Sequence, residues 1–213
     1  MHHTKLLKLA VVALVSTFGM LAAPLTVSSY TMLNGAQGSF NYRDFTYTPC
    51  AGICDTTGAP LSGGTGKLTD GISPVLDWYQ QGQNTQWVGW DSAQGLLNPV
   101  VTFFFSQSVT VNTVTIWTSN SLSGGVGLPS AVIIGGTNFA IVPDPVDTNP
   151  RDLIFNALNF TGSSLTVQLN QSAFQWVMVG EVSFDGNING IPEPASLILV
   201  CCALPLLAAL RRR

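Results

Sequence analysis

Four aromatic side chains stand close together in one stretch of this chain: Trp78, Tyr79, Trp87 and Trp90. Between them runs the amide-rich segment 80–86, QQGQNTQ. Aromatic rings stack on the apolar faces of sugars and amides bond sugar hydroxyls, so this combination suits a neutral glycan. Trp87 or Trp90, and Trp176 farther on, fall in strand-like patterns where a core claims such rings. Trp78 and Tyr79 are therefore the ligand-binding candidates. Catalytic chemistry is poorly supplied by comparison. The two histidines, His2 and His3, stand at the amino end, so the rest of the chain cannot build a Ser-His-Asp or Cys-His catalyst. Lys67 has no SxxK spacing for a Ser-Lys pair. A hydrolase working through paired aspartates is the remaining enzymatic alternative. However, Asp55, Asp144, Asp147 and Asp152 lie among Pro, Gly and Thr, where aspartate ordinarily makes turns. No catalytic residue is assigned. Cys50 and Cys54 close a small disulfide loop in an oxidising compartment, or else remain two free thiols. A zinc site would need further Cys or His ligands beside them.

Both ends of the chain carry export chemistry. Lys5 and Lys8 precede the apolar stretch Leu9 to Phe18, and small residues follow at Gly19, Ala22 and Ala23. This is the order of a Sec-type signal peptide, assigned to residues 1–28, with cleavage near Ala22 or Ala23 or at Ser28-Ser29. At the other end, the linker 187–194 closes on Pro192, Glu193 and Pro194. The two prolines cannot extend a helix or strand. The segment 195–213 follows as an apolar run from Ala195 to Leu210 capped by Arg211, Arg212 and Arg213. The run is short against the about 20 residues of a membrane-spanning helix, and the arginines hold its end on the cytoplasmic side. A plain tail anchor would need no prolines. The order Pro-Glu-Pro, apolar segment, Arg-rich end resembles the PEP-CTERM sorting signal of Gram-negative bacteria. That resemblance implies a transient transmembrane helix in the inner membrane, handling by an exosortase, and delivery to the cell surface or extracellular polysaccharide matrix.

Between these ends lie about 160 residues, 29–186 and a short linker, enough for one domain with one core. Its three cations, Arg43, Lys67 and Arg151, face ten acidic residues, a formal charge of −7. Such a surface repels phosphate backbones, which argues against nucleic acid as a partner. Few charges with many Ser, Thr, Asn, Gln, Gly and β-branched residues suit an extracellular all-β protein.

The strands that must position the aromatic residues are readable in outline. Ser39 to Thr48 alternates aromatic and polar residues with a slip, which predicts an early strand, and Pro49 to Gly66 predicts a long loop. Gln86 to Trp90 predicts a short strand, Pro99 to Phe105 a buried one, and Val109 to Thr118 an amphipathic one. The phase of the last changes around Asn112-Thr113, the mark of a turn or bulge. Ala131 to Ile134 and Asn138 to Val142 predict a hairpin around Gly135-Gly136. Leu153, Ala157 and Phe160 have helical spacing. Ser164 to Leu169 alternates, and Gln175 to Asp185 predicts a last strand bulged near Gly180. Short strands separated by turn signals make an antiparallel β-sandwich or jelly roll.

The order of Lys67-Leu68-Thr69-Asp70-Gly71, Trp78, Trp87-Val88-Gly89-Trp90, the strands that follow and Gly180-Glu181-Val182-Ser183-Phe184 resembles the discoidin or galactose-binding-like jelly roll. The resemblance spans about Lys67 to Phe184; the disulfide that joins the two ends in that family has no counterpart. It implies a structural calcium between the Asp-Gly loop and the late glutamate, carried here by Asp70 and Glu181, with Asp77 a looser candidate. Without a metal, Asp70 would make an Asx-type turn with Gly71 and Glu181 would be a solvated strand residue. The whole reads as an exported surface or matrix protein with a non-catalytic, carbohydrate-binding β-sandwich. A structural or adhesive module without a specific ligand is the alternative, and a glycoside hydrolase a more distant one.

Overall fold

The computed structural model describes residues 22–189 apart from 51, 83, 84 and 147. Ten strands follow in chain order: β1 (Ala23–Pro24), β2 (Val27–Leu33), β3 (Pro60–Gly64), β4 (Val88–Asp91), β5 (Val100–Asn120), β6 (Ala131–Ile134), β7 (Thr137–Ala140), β8 (Thr148–Phe155), β9 (Phe160–Asn170) and β10 (Trp176–Ile188). Every ladder between them is antiparallel. The fold is all-β, as its composition predicts. Residues 1–21 and the Pro-Glu-Pro, apolar and arginine segments of the carboxyl end lie outside the described residues. Among the described residues no helix is long and apolar enough to cross a membrane. The ladders begin at Ala23, ahead of position 29 where the sequence places the start of the domain.

β5 organises the fold. Its first half, Val100 to Val111, pairs with β2 on one edge and β9 on the other. Its second half pairs with β10 and β8. The chain thus folds two layers around one strand, with β3 beyond β2, β4 beyond β10, and β6 and β7 beyond β9. The inward side chains are Val101, Phe103, Phe105, Val109 and Val111, and then Val114 and Ile116. The inward phase switches between Val111 and Val114. There β10 steps from Asp185 opposite Thr113 to Gly186 opposite Val111, leaving Asn112 unpaired. This bulge keeps one amphipathic strand facing the core on both sides of a bend. A second bulge, where Val179 opposite Thr118 gives way to Glu181 opposite Trp117, falls at Gly180 as predicted. Between the layers, Phe184 packs edge-on against Phe103 and Phe105, and Tyr30 lies against Phe103.

Four sequence expectations are corrected, the first being the loop over Pro49 to Gly66, in which Pro60–Gly64 forms β3 against β2. Pro99 to Phe105 and Val109 to Thr118 are one continuous strand: the polar run Ser106-Gln107-Ser108 is exposed but stays extended. Ser39 to Thr48 forms only isolated bridges, Gln37 to Asn41 and Thr48 to Thr65, although Tyr42 and Tyr47 are buried as an inward-facing strand would place them. The helical spacing of Leu153, Ala157 and Phe160 belongs to the end of β8, a turn with left-handed Ala157 (φ 56°) and Asn159 (φ 50°), and the start of β9. Cys50 and Cys54 are disulfide-bonded, with Cα atoms 5.9 Å apart.

Candidate functional site

Trp78 is held by chemistry that begins one residue earlier. Asp77 caps a single 3-10 turn, Trp78–Gln80: its Oδ1 accepts from Trp78 N at 2.8 Å, and Gln80 Oε1 accepts from Asp77 N at 3.1 Å. Ser119 at the end of β5 donates its hydroxyl to the same Asp77 oxygen at 2.5 Å, tying the turn to the sandwich. The buried Trp87 adds a donor bond from Nε1 to Leu76 O at 3.2 Å. Trp78 therefore projects from a loop fastened at two points. Gly124 accommodates it, because a Cβ there would lie 2.4 Å from the indole Cζ2.

The ring that results is one wall of an aromatic pocket. Tyr42 meets Trp78 edge-to-face at 5.8 Å and 87°, and meets Trp176 at 5.3 Å and 73°. These three rings, with Asp91, Gln94 and Gln175, line a cavity of about 260 Å³. Asp91 is buried at the end of β4. Its Oδ1 accepts from Ala93 N at 2.8 Å and from Gln175 Nε2 at 2.9 Å; its Oδ2 accepts from Gln94 Nε2 at 2.8 Å. With both amide nitrogens committed to the carboxylate, both amide carbonyl oxygens remain as acceptors. Trp78 Nε1 is buried without any partner. A buried donor left unpaired is costly unless something binds it. Burial pushes the Tyr42 phenol well above the usual tyrosine value, so it remains a neutral hydroxyl. Apolar ring faces, several acceptors and one orphan donor are the complement of a hydroxylated ring.

Of the two ligand-binding candidates in the sequence, Trp78 lines this cavity. Tyr79 is 52% exposed and packs edge-on against Trp78 at 5.4 Å, yet does not line the cavity. Trp87 and Trp90 are both core residues, where the sequence assigns one or the other to the core; Trp176, also expected in the core, is half-buried in the pocket wall. Tyr42, Asp91, Gln94 and Gln175 were missed. The available signal was local: Asp91 closes the QWVGW strand and stands three residues before Gln94, a turn-capping arrangement that fixes a carboxylate at a strand end.

Asp70 and Glu181 do meet, in a second cavity of about 360 Å³ that also includes Thr69 and the segment from Pro24 to Val27. Asp70 is exposed, and its Oδ1 accepts from Ile72 N at 2.8 Å, the Asx-type turn that the Asp-Gly step predicts. Glu181 is not a solvated strand residue. It is 5% exposed beside the Gly180 bulge, and its Oε2 is buried without a partner. Burial first, and then the neighbouring Asp70 carboxylate, push Glu181 up to about 8; burial likewise raises Asp70. Thr69 Oγ1, in the same cavity, is a further buried oxygen without a partner. Two carboxylates and an orphan hydroxyl are oxygen donors of the kind a hard cation takes. Asp77 stays with its turn, and no group of three acidic, Cys or His side chains is gathered among the described residues.

No curated protein matches the chain. Several solved structures are similar to it at low identity. A Streptococcus pneumoniae fucose binding module is 12% identical, covering 76% of this chain and 96% of that one, with a TM-score of 0.41. Chitosan-binding module 1 from a chitosanase/glucanase of Paenibacillus sp. IK-5 is 15% identical over 77% and 99%, with a TM-score of 0.39. The CBM32 of AlyQ, in complex with 4,5-unsaturated mannuronic acid, is 12% identical over 76% and 97%, with a TM-score of 0.37. Residues 26–186, which run from just before β2 almost to the end of β10, match the model of the discoidin domain-containing receptor 1/2 DS-like domain, and the chain belongs to that family.

Proposed function

We propose that this chain is an exported surface or matrix protein whose discoidin-like domain binds carbohydrate, without catalysis, in the pocket of Tyr42, Trp78 and Trp176. The observation that carries the reading is a cavity walled by the rings of Tyr42, Trp78 and Trp176 that is also lined by Asp91, Gln94 and Gln175. Removing the indole deletes both the stacking face and the orphan donor. Trp78→Ala should therefore abolish retention on the producer's own polysaccharide while the protein still melts cooperatively. Equal retention of the wild type and Trp78→Ala would refute the assignment and leave a structural or adhesive module in its place.

Export and sorting complete the proposal. The leader would route the chain through Sec, and Pro192, Glu193, Pro194, Arg211, Arg212 and Arg213 would present the tail to an exosortase after transient inner-membrane anchoring. Ala23 and Pro24 pair with β10 and Val27 pairs with β5, which supports cleavage near Ala22 or Ala23 over Ser28-Ser29. A tagged chain should remain membrane-bound in cells lacking the sorting enzyme and reach the surface or matrix in cells that have it. Calcium would fit between Asp70 and Glu181, with Thr69 Oγ1 as a further oxygen. When bound it would neutralise the two carboxylates and fasten the Asp70 loop to β10. Titration calorimetry after chelator treatment tests this; absence of both heat and thermal stabilisation would remove it.

A further inference from the structure

The aromatic pocket is lined by one carboxylate that has no cationic partner. Asp91 is 3% exposed, and its partners are one backbone amide and two side-chain amides, all uncharged. Each cation of the domain is committed elsewhere. Arg151 pairs with Asp144 in the one salt bridge among the described residues. Arg43 donates to Asn41 Oδ1 at 2.8 Å, to Gln37 Oε1 at 2.6 Å and to Asp55 O. Lys67 donates to Arg43 O at 2.6 Å and lies 3.9 Å over the Phe45 ring, and its burial pulls it down to about 7. A carboxylate held only by neutral donors is open to a charge-assisted contact, which a ligand cation would supply. The walls point the same way, since Tyr42, Trp78 and Trp176 present electron-rich faces that attract ammonium groups.

We infer that the pocket prefers a sugar bearing a protonated amine, with the ammonium directed to Asp91 and the ring held by the aromatic walls. This rests on the carbohydrate reading above and narrows it to cationic amino sugars. A bare alkylammonium meets only half of the site: it has no oxygen to accept from Trp78 Nε1 and no hydroxyls for the Gln94 and Gln175 carbonyls. An amino sugar supplies the ammonium, the ring oxygen and the hydroxyls together.

The test is titration calorimetry of the full chain, in mild detergent, with a glucosamine oligomer, its fully N-acetylated counterpart, and choline. The free-amine oligomer should bind on the order of tenfold more tightly than the acetylated one, and that preference should shrink as salt rises from about 0.05 to about 0.5 M. Asp91→Asn should bring the ratio of the two affinities close to one. Asp91 also caps a turn, so Gln94→Lys at an exposed position provides a second variant: a cation beside the carboxylate should reverse the preference. Acetylated oligomer binding as well as the free amine, or both variants keeping the wild-type ratio, would overturn the inference while leaving the carbohydrate reading intact. If neither oligomer binds, or only choline does, the reading on which the inference rests falls with it.

Discussion

Replacing Glu181 with glutamine tests the acidic pair directly. In the folded protein Glu181 titrates near 8 instead of 4.5. Below about 4.5 it is protonated in both the folded and unfolded chains and costs nothing. Between those values the unfolded chain releases a proton that the folded chain keeps, so stability falls as pH rises and the loss is complete above about 8. One pKa unit corresponds to about 1.4 kcal/mol, so the undiminished shift would be worth about 5 kcal/mol. Asp70 is exposed and the cavity opens to solvent, so screening reduces this to about 2 kcal/mol. Glutamine keeps the shape of the neutral carboxyl and cannot ionise. Glu181→Gln should therefore melt about 4–8 °C above the wild type at pH 8.5 in chelator, at roughly 2–4 °C per kcal/mol for a chain of this size. At pH 5 the two should melt within about 1 °C. Adding calcium at pH 8.5 should raise the wild type and narrow the gap. The same difference at both pH values, or a Glu181→Gln protein less stable at pH 8.5 in chelator, would refute the reasoning.

Further tests address the elements that support the sites. Gly180→Ala would bring a Cβ within 2.0 Å of Pro74 Cγ at the β10 bulge; overpacking of that kind costs about 1–3 kcal/mol, and an unchanged denaturant midpoint would contradict the packing. Cys50→Ala/Cys54→Ala should lose about 2 kcal/mol, the loop-entropy value for so short a ring, measured by urea unfolding against the oxidised wild type. Trp87→Phe removes the bond to Leu76 O and should cost about 1 kcal/mol from that contact alone. It should also weaken sugar retention by loosening the loop that carries Trp78.

Where a signal is local, the chain reveals it. The bulges at Asn112 and Gly180 show as breaks in a two-residue period, because a single extra residue moves every following side chain to the other face. The unity of β5 does not show: Ser106-Gln107-Ser108 has a turn's composition, yet the strand runs through it although the ladder to β9 is interrupted there. Trp78 stood out by its surroundings. Tyr42 and Trp176 are far from it along the chain and meet it only because a loop and β10 converge on it. Asp77 shows the limit of composition, since an aspartate that caps a turn and one that binds a metal read alike until Ser119 and Trp78 are seen to occupy its oxygen. Glu181 and Asp70 share a cavity, as their places in the sequence suggest, but the burial of Glu181 beside the Gly180 bulge is not legible there.

β10 has a mechanical consequence. Trp176 begins it in the pocket wall, and Ile188 ends it where the chain leaves the domain. Tension between a captured ligand and an anchor beyond the domain would pull the Ile188 end of this strand against the rest of the sandwich, which Tyr42 and Trp78 would tie to the ligand. The strand is paired lengthwise with β5 from Val179 to Ile188 and with β4 from Trp176 to Val179. Force along its axis loads those hydrogen bonds in shear, so that several must rupture together instead of opening one by one. Such a domain would resist extraction more strongly than one whose strands peel apart bond by bond.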